Sequence, residues 1–209
     1  MDPDRTAWEQ AYRNRADLWA ETCAPLPDLP CGSSVLELGC GNARSLTALM
    51  RKGWNVTALD FSEAAVTTAR TNSLPCGECS ILLADAGNIP VRDRCMDMVI
   101  ASHVMGHMRH TDRIHCAGEI LRVLRPGGIV VFREFSQDDF RFALSGSPPD
   151  GTVEKKTGIR THYFTLPEVT DLFLHMTRIA LKTHTPVLRI RGTEYQRSEI
   201  CAVFQRNDD

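Results

Sequence analysis

Several features that would assign this chain quickly are missing. None of its apolar runs approaches the roughly 18–20 residues of a membrane-spanning helix, so no membrane partner is expected. The opening residues, MDPDRTAWEQAYRNRADLWAE, contain no apolar signal-peptide core, and the expected location is cytoplasmic. An excess of one charge is missing too. Lys and Arg number 24 against 26 Asp and Glu, which gives no global pull toward nucleic acid. Neither an internal repeat nor a low-complexity tract occurs. The HExxH pattern of zinc hydrolases is absent. The pair Cys76 and Cys79 has CxxC spacing but lacks the second pair that a zinc ribbon requires. No metal is therefore expected, and the eight cysteines are expected as reduced thiols.

What is present describes one globular domain of 209 residues, 43% of them hydrophobic and 24% charged. Short apolar segments alternate with helical patterns. VLEL (35–38), VTALD (56–60), ILLAD (81–85), MDMVIAS (96–102) and GIVVFREF (128–135) are expected as buried strands. ARSLTALMRK, the alanine-rich EAAVTTAR capped by Ser62, and TDRIHCAGEILRVL fall between them as helices. This order predicts an α/β fold with a mostly parallel sheet covered on both faces. Residues 1–32 would form an N-terminal helical cap, 33–135 the core, and 136–165 a loop or lid, given its Ser, Gly and Pro content. Residues 166–209 would add a helix and two closing antiparallel strands, TRIALKTHTPVLRI and SEICAVFQR.

The first strand runs into Glu37-Leu38-Gly39-Cys40-Gly41-Asn42. Two glycines at this spacing let the backbone turn tightly and approach a ligand beside a helix start. Asp60 stands nineteen residues after Gly41, at the end of the second strand, where a carboxylate can accept hydrogen bonds from ribose hydroxyls. A dinucleotide site would want a third glycine, but that position is Arg44, and Glu37 stands where an apolar residue is usual. Both departures favour a nucleoside cofactor without a pyrophosphate over NAD.

VLELGCGNA, LDFSEAAV, LLADAGNIPV, MDMVIASHV and LRVLRPGGIVVFREF resemble, in order, the motifs of class I S-adenosylmethionine-dependent methyltransferases. The resemblance implies a Rossmann-like seven-stranded sheet with one antiparallel strand, and S-adenosylmethionine as cofactor. It further implies that Gly39, Cys40 and Gly41 hold the methionine part and that Glu37 positions the loop. Asp60 would bind the ribose and Phe61 lie against the adenine. Asp85 and Ala86 would meet the adenine amino group and ring. Ala101 and Ser102 would flank the methionine tail, His107 would lie near it, and Tyr12 and Arg15 would reach over the cofactor from the N-terminal helix.

A second similarity, to tRNA 3-methylcytidine methyltransferases, rests on FREF and TGIRTHYFT. Here Phe132, Arg133, Gly158, Arg160, Phe164 and Thr165 match the pattern, Glu134 stands for its acid, and His162 replaces an aromatic. It implies a substrate-side set of Arg133, Glu134, Arg160, His162 and Tyr163, to which His103 is added by its place at the end of the fourth strand. About thirty residues precede the first strand, short of the extension with which those enzymes grip tRNA. A local patch of Lys155, Lys156, Arg160, Arg189 and Arg191 would have to serve instead.

Three readings follow: methyl transfer to a small molecule, methyl transfer to a tRNA base, or a non-catalytic S-adenosylmethionine-binding protein. The first is preferred, acting as a monomer or homodimer. HVMGHMRHTDRIH (103–115) holds four of the seven histidines. On this scaffold it starts at the ligand side of the sheet, which makes His103 the candidate base, with Glu134 as a second catalytic candidate. His110 and His115 would cap or face solvent.

Overall fold

The computed structural model describes residues 3–14, 26–73 and 79–208. Arg15, Trp19, Cys23 and Cys76 lie outside the described residues. The chain begins with helix α1 (Pro3–Asn14) and then alternates β1 (Ser34–Leu38), α2 (Leu46–Met50), β2 (Asn55–Asp60), α3 (Glu63–Ser73), β3 (Ser80–Leu83) and β4 (Met96–Ser102). A 3₁₀ turn (Met105–His107) leads to α4 (His110–Val123) and the long β5 (Leu124–Phe135). There follow α5 (Phe140–Leu144), β6 (Thr152–Glu154), β7 (Arg160–His162), α6 (Leu166–Leu172) and β8 (Met176–His184). The described chain closes with β9 (Val187–Ile190), β10 (Thr193–Gln196) and β11 (Glu199–Arg206).

Seven strands form one sheet in the order β3-β2-β1-β4-β5-β11-β8. The first five are mutually parallel, while β11 runs antiparallel to both β5 and β8. Strand alternation divides the core. Leu36, Leu38, Val99, Val130 and Phe132 pack on one face with Ile120 of α4 and Val169 of α6. Val35, Val56, Met98 and Ile100 pack on the other with Leu46 of α2 and Val66 of α3. Ser62 caps α3, its Oγ accepting from the Ala65 N–H at 3.2 Å. The order reverses between β1 and β4, so the crevice beyond their carboxyl ends is where an open α/β sheet binds ligands.

Two expectations change. TRIALKTHTPVLRI is not one strand. Pro186, which has no N–H to give a ladder, falls at the break between β8 and β9. Arg191 and Gly192, both at positive φ (49° and 85°), then turn β9 back onto β10 as a two-residue hairpin. The 136–165 segment is likewise more than a loop. The β6–β7 pair holds it together, and Tyr163 packs against Phe142 and Phe135 with centroids 5.1 and 6.2 Å away. The second helix is also shorter than expected, because Ala43 at φ +65° delays its start. Among the described residues no helix is long and apolar enough to cross a membrane.

Phe132 is fully buried and meets Phe164 and Phe173 edge-on at 5.3 and 5.6 Å. Phe132→Ala is expected to lower unfolding free energy by about 3–5 kcal/mol in urea denaturation. A loss below about 1 kcal/mol would contradict this assignment of the core.

Candidate active site

The turn after β1 has Gly39 at φ +65° and Gly41 at φ +52°, a conformation that glycine alone adopts cheaply. Space demands glycine as well. A Cβ at Gly39 would stand 2.8 Å from Val104 Cγ2, and one at Gly41 would stand 2.8 Å from Tyr12 Oη. The ladder continues into the turn, the Cys40 N–H donating to the Leu59 carbonyl at 3.0 Å. Asp60 then receives the Gly41 N–H on Oδ2 (3.0 Å) and the Ser62 N–H on Oδ1 (2.9 Å). Burial pushes the Asp60 pKa up, and these two N–H donors oppose that rise. A carboxylate has about four acceptor sites, so two bonds leave capacity for hydroxyl donors.

Glu37 is buried behind the same turn. Ser45 Oγ donates to its Oε1, while Oε2 has no hydrogen-bond partner among the described residues. Burial, reinforced by Asp60, pushes its pKa up to about 7, against the pull of Ser45. An orphaned buried carboxylate oxygen is costly to keep, and it suits a cationic donor brought by a ligand.

Helix α1 roofs this turn. Asp4, Trp8 and Tyr12 follow at intervals of four, on one helical face. Asp4 pairs with Arg160 at 3.2 Å and with Arg109 at 3.7 Å. Glu9 accepts from Ser62 Oγ at 2.7 Å. Trp8 meets the His107 ring edge-on at 4.7 Å. His107 Nδ1 lies 2.5 Å from the Arg160 carbonyl, which can only accept, so Nδ1 carries the hydrogen. Burial pushes His107 down to about 4 and keeps it neutral.

At the ends of β4 and β5, His103 takes a left-handed conformation (φ +53°) and lies over Phe135 at 4.3 Å. Its ring stands between two buried carboxylates, Glu134 (3.9 Å) and Glu199 (3.7 Å). Glu134 Oε1 accepts the Gly106 N–H at 2.9 Å and so anchors the 3₁₀ turn; burial pushes its pKa up to about 7. Arg133 Nε donates to Glu199 Oε2 at 2.7 Å, and Arg197 lies 3.3 Å from the same carboxylate.

Tyr12, Glu37, Gly39, Cys40, Gly41, Asp60 and Phe61 line one cleft of about 1100 Å³. Asp85, Ala86, Ser102, His103, His107 and Arg133 continue it. The other expected residues among those described do not line it. Ala101 points to the opposite face from Ser102 and is buried in the core, as strand alternation requires. Glu134 supports the 3₁₀ turn from below. Arg160 is tied to Asp4, and Tyr163 fills an aromatic cluster. His162 bridges Thr152 (3.0 Å) and Glu168 (2.7 Å), joining β6–β7 to α6. His110 and His115 are exposed, and the described residues include no His, Cys, Asp and Glu group fit to hold a metal. Sequence reasoning missed Asp4, Trp8 and Glu199 as site residues. The four-residue spacing of Asp4, Trp8 and Tyr12 was the available signal; Glu199 gave none.

The family model described as a methyltransferase domain matches residues 36–132. Among solved structures, a SAM-dependent methyltransferase from Methanosarcina mazei superposes with a TM-score of 0.71 at 20% identity. The match covers 87% of this chain and 95% of that one. Residues 36–132 thus resemble a methyltransferase domain, and the chain shares the fold of that SAM-dependent methyltransferase, a mostly parallel seven-stranded sheet with one antiparallel strand. More particularly, the chain is 34% identical over 117 residues to the 2-methyl-6-phytyl-1,4-hydroquinone methyltransferase of Synechocystis, across 56% of this chain and 36% of that protein. It is 24% identical over 159 residues to the tRNA N(3)-cytidine methyltransferase METTL2 of Danio rerio, across 70% of this chain and 45% of that one. The matched regions span less than half the length of these two curated relatives. The residues present fit S-adenosylmethionine, the cofactor that the sequence motifs imply. The glycine turn leaves no room for a Cβ, and the orphaned Glu37 Oε2 can take an ammonium group.

A carboxyl held near 7 in the fold but near its ordinary value when unfolded favours the folded state below about pH 4.5. That advantage is lost as pH rises through 7. Glu37→Gln should therefore raise ligand-free stability by about 3 kcal/mol at pH 8 and leave it unchanged at pH 4.5. Equal effects at both pH values in chemical denaturation would exclude a buried, raised carboxyl.

Proposed function

We propose that this protein transfers the methyl group of S-adenosylmethionine to a small-molecule acceptor and releases S-adenosylhomocysteine. The observation that carries the reading is the pairing of two buried carboxylates, Glu37 and Asp60, across a glycine turn in a cleft that runs on past Ser102 and His103. Gly39, Cys40 and Gly41 hold the methionine part, and Glu37 takes its ammonium. Asp60 takes the ribose hydroxyls, Phe61 lies on the adenine, and Asp85 and Ala86 meet its amino group and ring. Tyr12 and His107 close the roof.

When bound, the cofactor supplies a methyl carbon on a cationic sulfur, open to in-line displacement. The protein's part is to hold the acceptor atom about 3 Å away and aligned, with water excluded by α1. A thiolate or ring nitrogen needs no further help. A hydroxyl or ammonium acceptor must lose a proton, and His103 is placed to take it.

The tRNA reading draws support from the METTL2 likeness, which extends over 70% of this chain. Against it, Arg133 is bound to Glu199 and Arg160 to Asp4, so the matched arginines are engaged within the fold. The extension of the cleft beyond the cofactor half supports an enzyme over a cofactor sensor.

Calorimetric titration should show S-adenosylmethionine binding, weakened at least about tenfold in Asp60→Ala. Because the ammonium draws Glu37 into its ionised form, binding should release a proton and weaken as pH falls below 7. Absence of binding to the unaltered chain would remove the reading. With labelled cofactor and a fractionated cell extract, label should enter the small-molecule fraction. Label confined to tRNA would overturn the choice of acceptor.

A further inference from the structure

The sheet itself forms the far half of the cleft. Ile100 pairs with Val131, Val131 with Val203 and Val203 with Ala180, giving an apolar row across β4, β5, β11 and β8. Two residues along, on the same face, Ser102, Arg133, Cys201 and Lys182 pair in the same sequence. All eight side chains line the cleft. Three strand spacings make this floor about 14 Å wide, enough for a flat bicyclic body.

Charge divides along the same line. The carboxylates Glu37, Asp60 and Asp85 stand at the glycine-turn half, whereas the charged residues of the floor that face the cleft are Arg133 and Lys182. Arg133 is ion-paired with Glu199. Lys182 is exposed, and its ammonium has no ion-pair or hydrogen-bond partner among the described residues. His184 lines the cleft beyond it, beside Glu199 in register.

We infer that the methyl acceptor is a flat, largely apolar molecule bearing an anionic group, with its body on the Ile100–Val131–Val203–Ala180 row and its anion on Lys182. This rests on the methyl-transfer reading and adds the acceptor's chemical class to it. Arg133, held by Glu199, is a wall of the subsite, and Lys182 supplies the selectivity for charge.

The test uses naphthalene-2-carboxylate and its neutral carboxamide, titrated into the full chain loaded with S-adenosylhomocysteine. The carboxylate is expected to bind about tenfold tighter than the amide, the worth of one charge-assisted contact. Lys182→Gln should abolish that preference with amide affinity unchanged, and Lys182→Arg should retain it. Equal affinities, no binding of either probe, or a preference that survives Lys182→Gln would overturn the inference. Displacement of the carboxylate by bulk tRNA, with tRNA binding lost in Lys182→Gln, would overturn it by assigning the anion to a nucleic-acid phosphate. Should S-adenosylhomocysteine fail to bind, the methyl-transfer reading falls. The same titration on the ligand-free chain still decides whether Lys182 selects anions.

Discussion

The Asp60 carboxylate holds two turns with one group. Through Oδ2 it fixes Gly41 at the end of the β1 turn, and through Oδ1 it fixes Ser62 at the start of α3. The parallel register Leu38↔Leu59 delivers both turns to one place, and positive φ at Gly39 and Gly41 lets the first pass close to the carboxylate. Burying a carboxylate is unfavourable, and the two N–H donors offset part of that cost. The position of Tyr12 over Gly41 and the capping contact of Glu9 with Ser62 both depend on this arrangement.

A second set of buried charges shapes the other end of the cleft. Glu134 collects the amide of the 3₁₀ turn, and Glu199 binds Arg133 and lies close to Arg197. The Phe135 ring lies near the cations Arg141 (3.8 Å) and Arg197 (4.7 Å), with the His103 ring at 4.3 Å. Buried ionic groups are weak evidence for stability. Here their common effect is positional, because each contact restrains His103 or the backbone on either side of it. His103 itself sits in a left-handed conformation that a non-glycine residue holds only when its surroundings impose it.

The two halves of the cleft follow different logic. The half proposed for the cofactor is built from strand ends and the turns that follow them, so its residues are close to one another in sequence-defined motifs. The half proposed for the acceptor is built from side chains on four strands, drawn from residues 100–102, 131–133, 180–182 and 201–203. Changes in any of those strands would alter this proposed surface while leaving the glycine turn in place. That separation suits a fold whose relatives act on a hydroquinone in one case and a tRNA cytidine in another.

The sequence by itself determined the alternating strands and helices, the glycine turn with Asp60 and the absence of a third glycine at Arg44. Each of these is a local matter of periodicity, backbone freedom or short spacing, and local physics leaves its mark on contiguous residues. It also contained, unrecognised, the Pro186 and Arg191-Gly192 signals that divide the last strands. Only the tertiary structure decided that Ala101 turns away while Ser102 faces the cleft, that Arg133 and Arg160 are bound to Glu199 and Asp4, and that Lys182 stands level with Ser102. Those facts depend on strand register and on contacts between residues as many as 156 positions apart. No pattern within one segment encodes a neighbour that folding alone brings near.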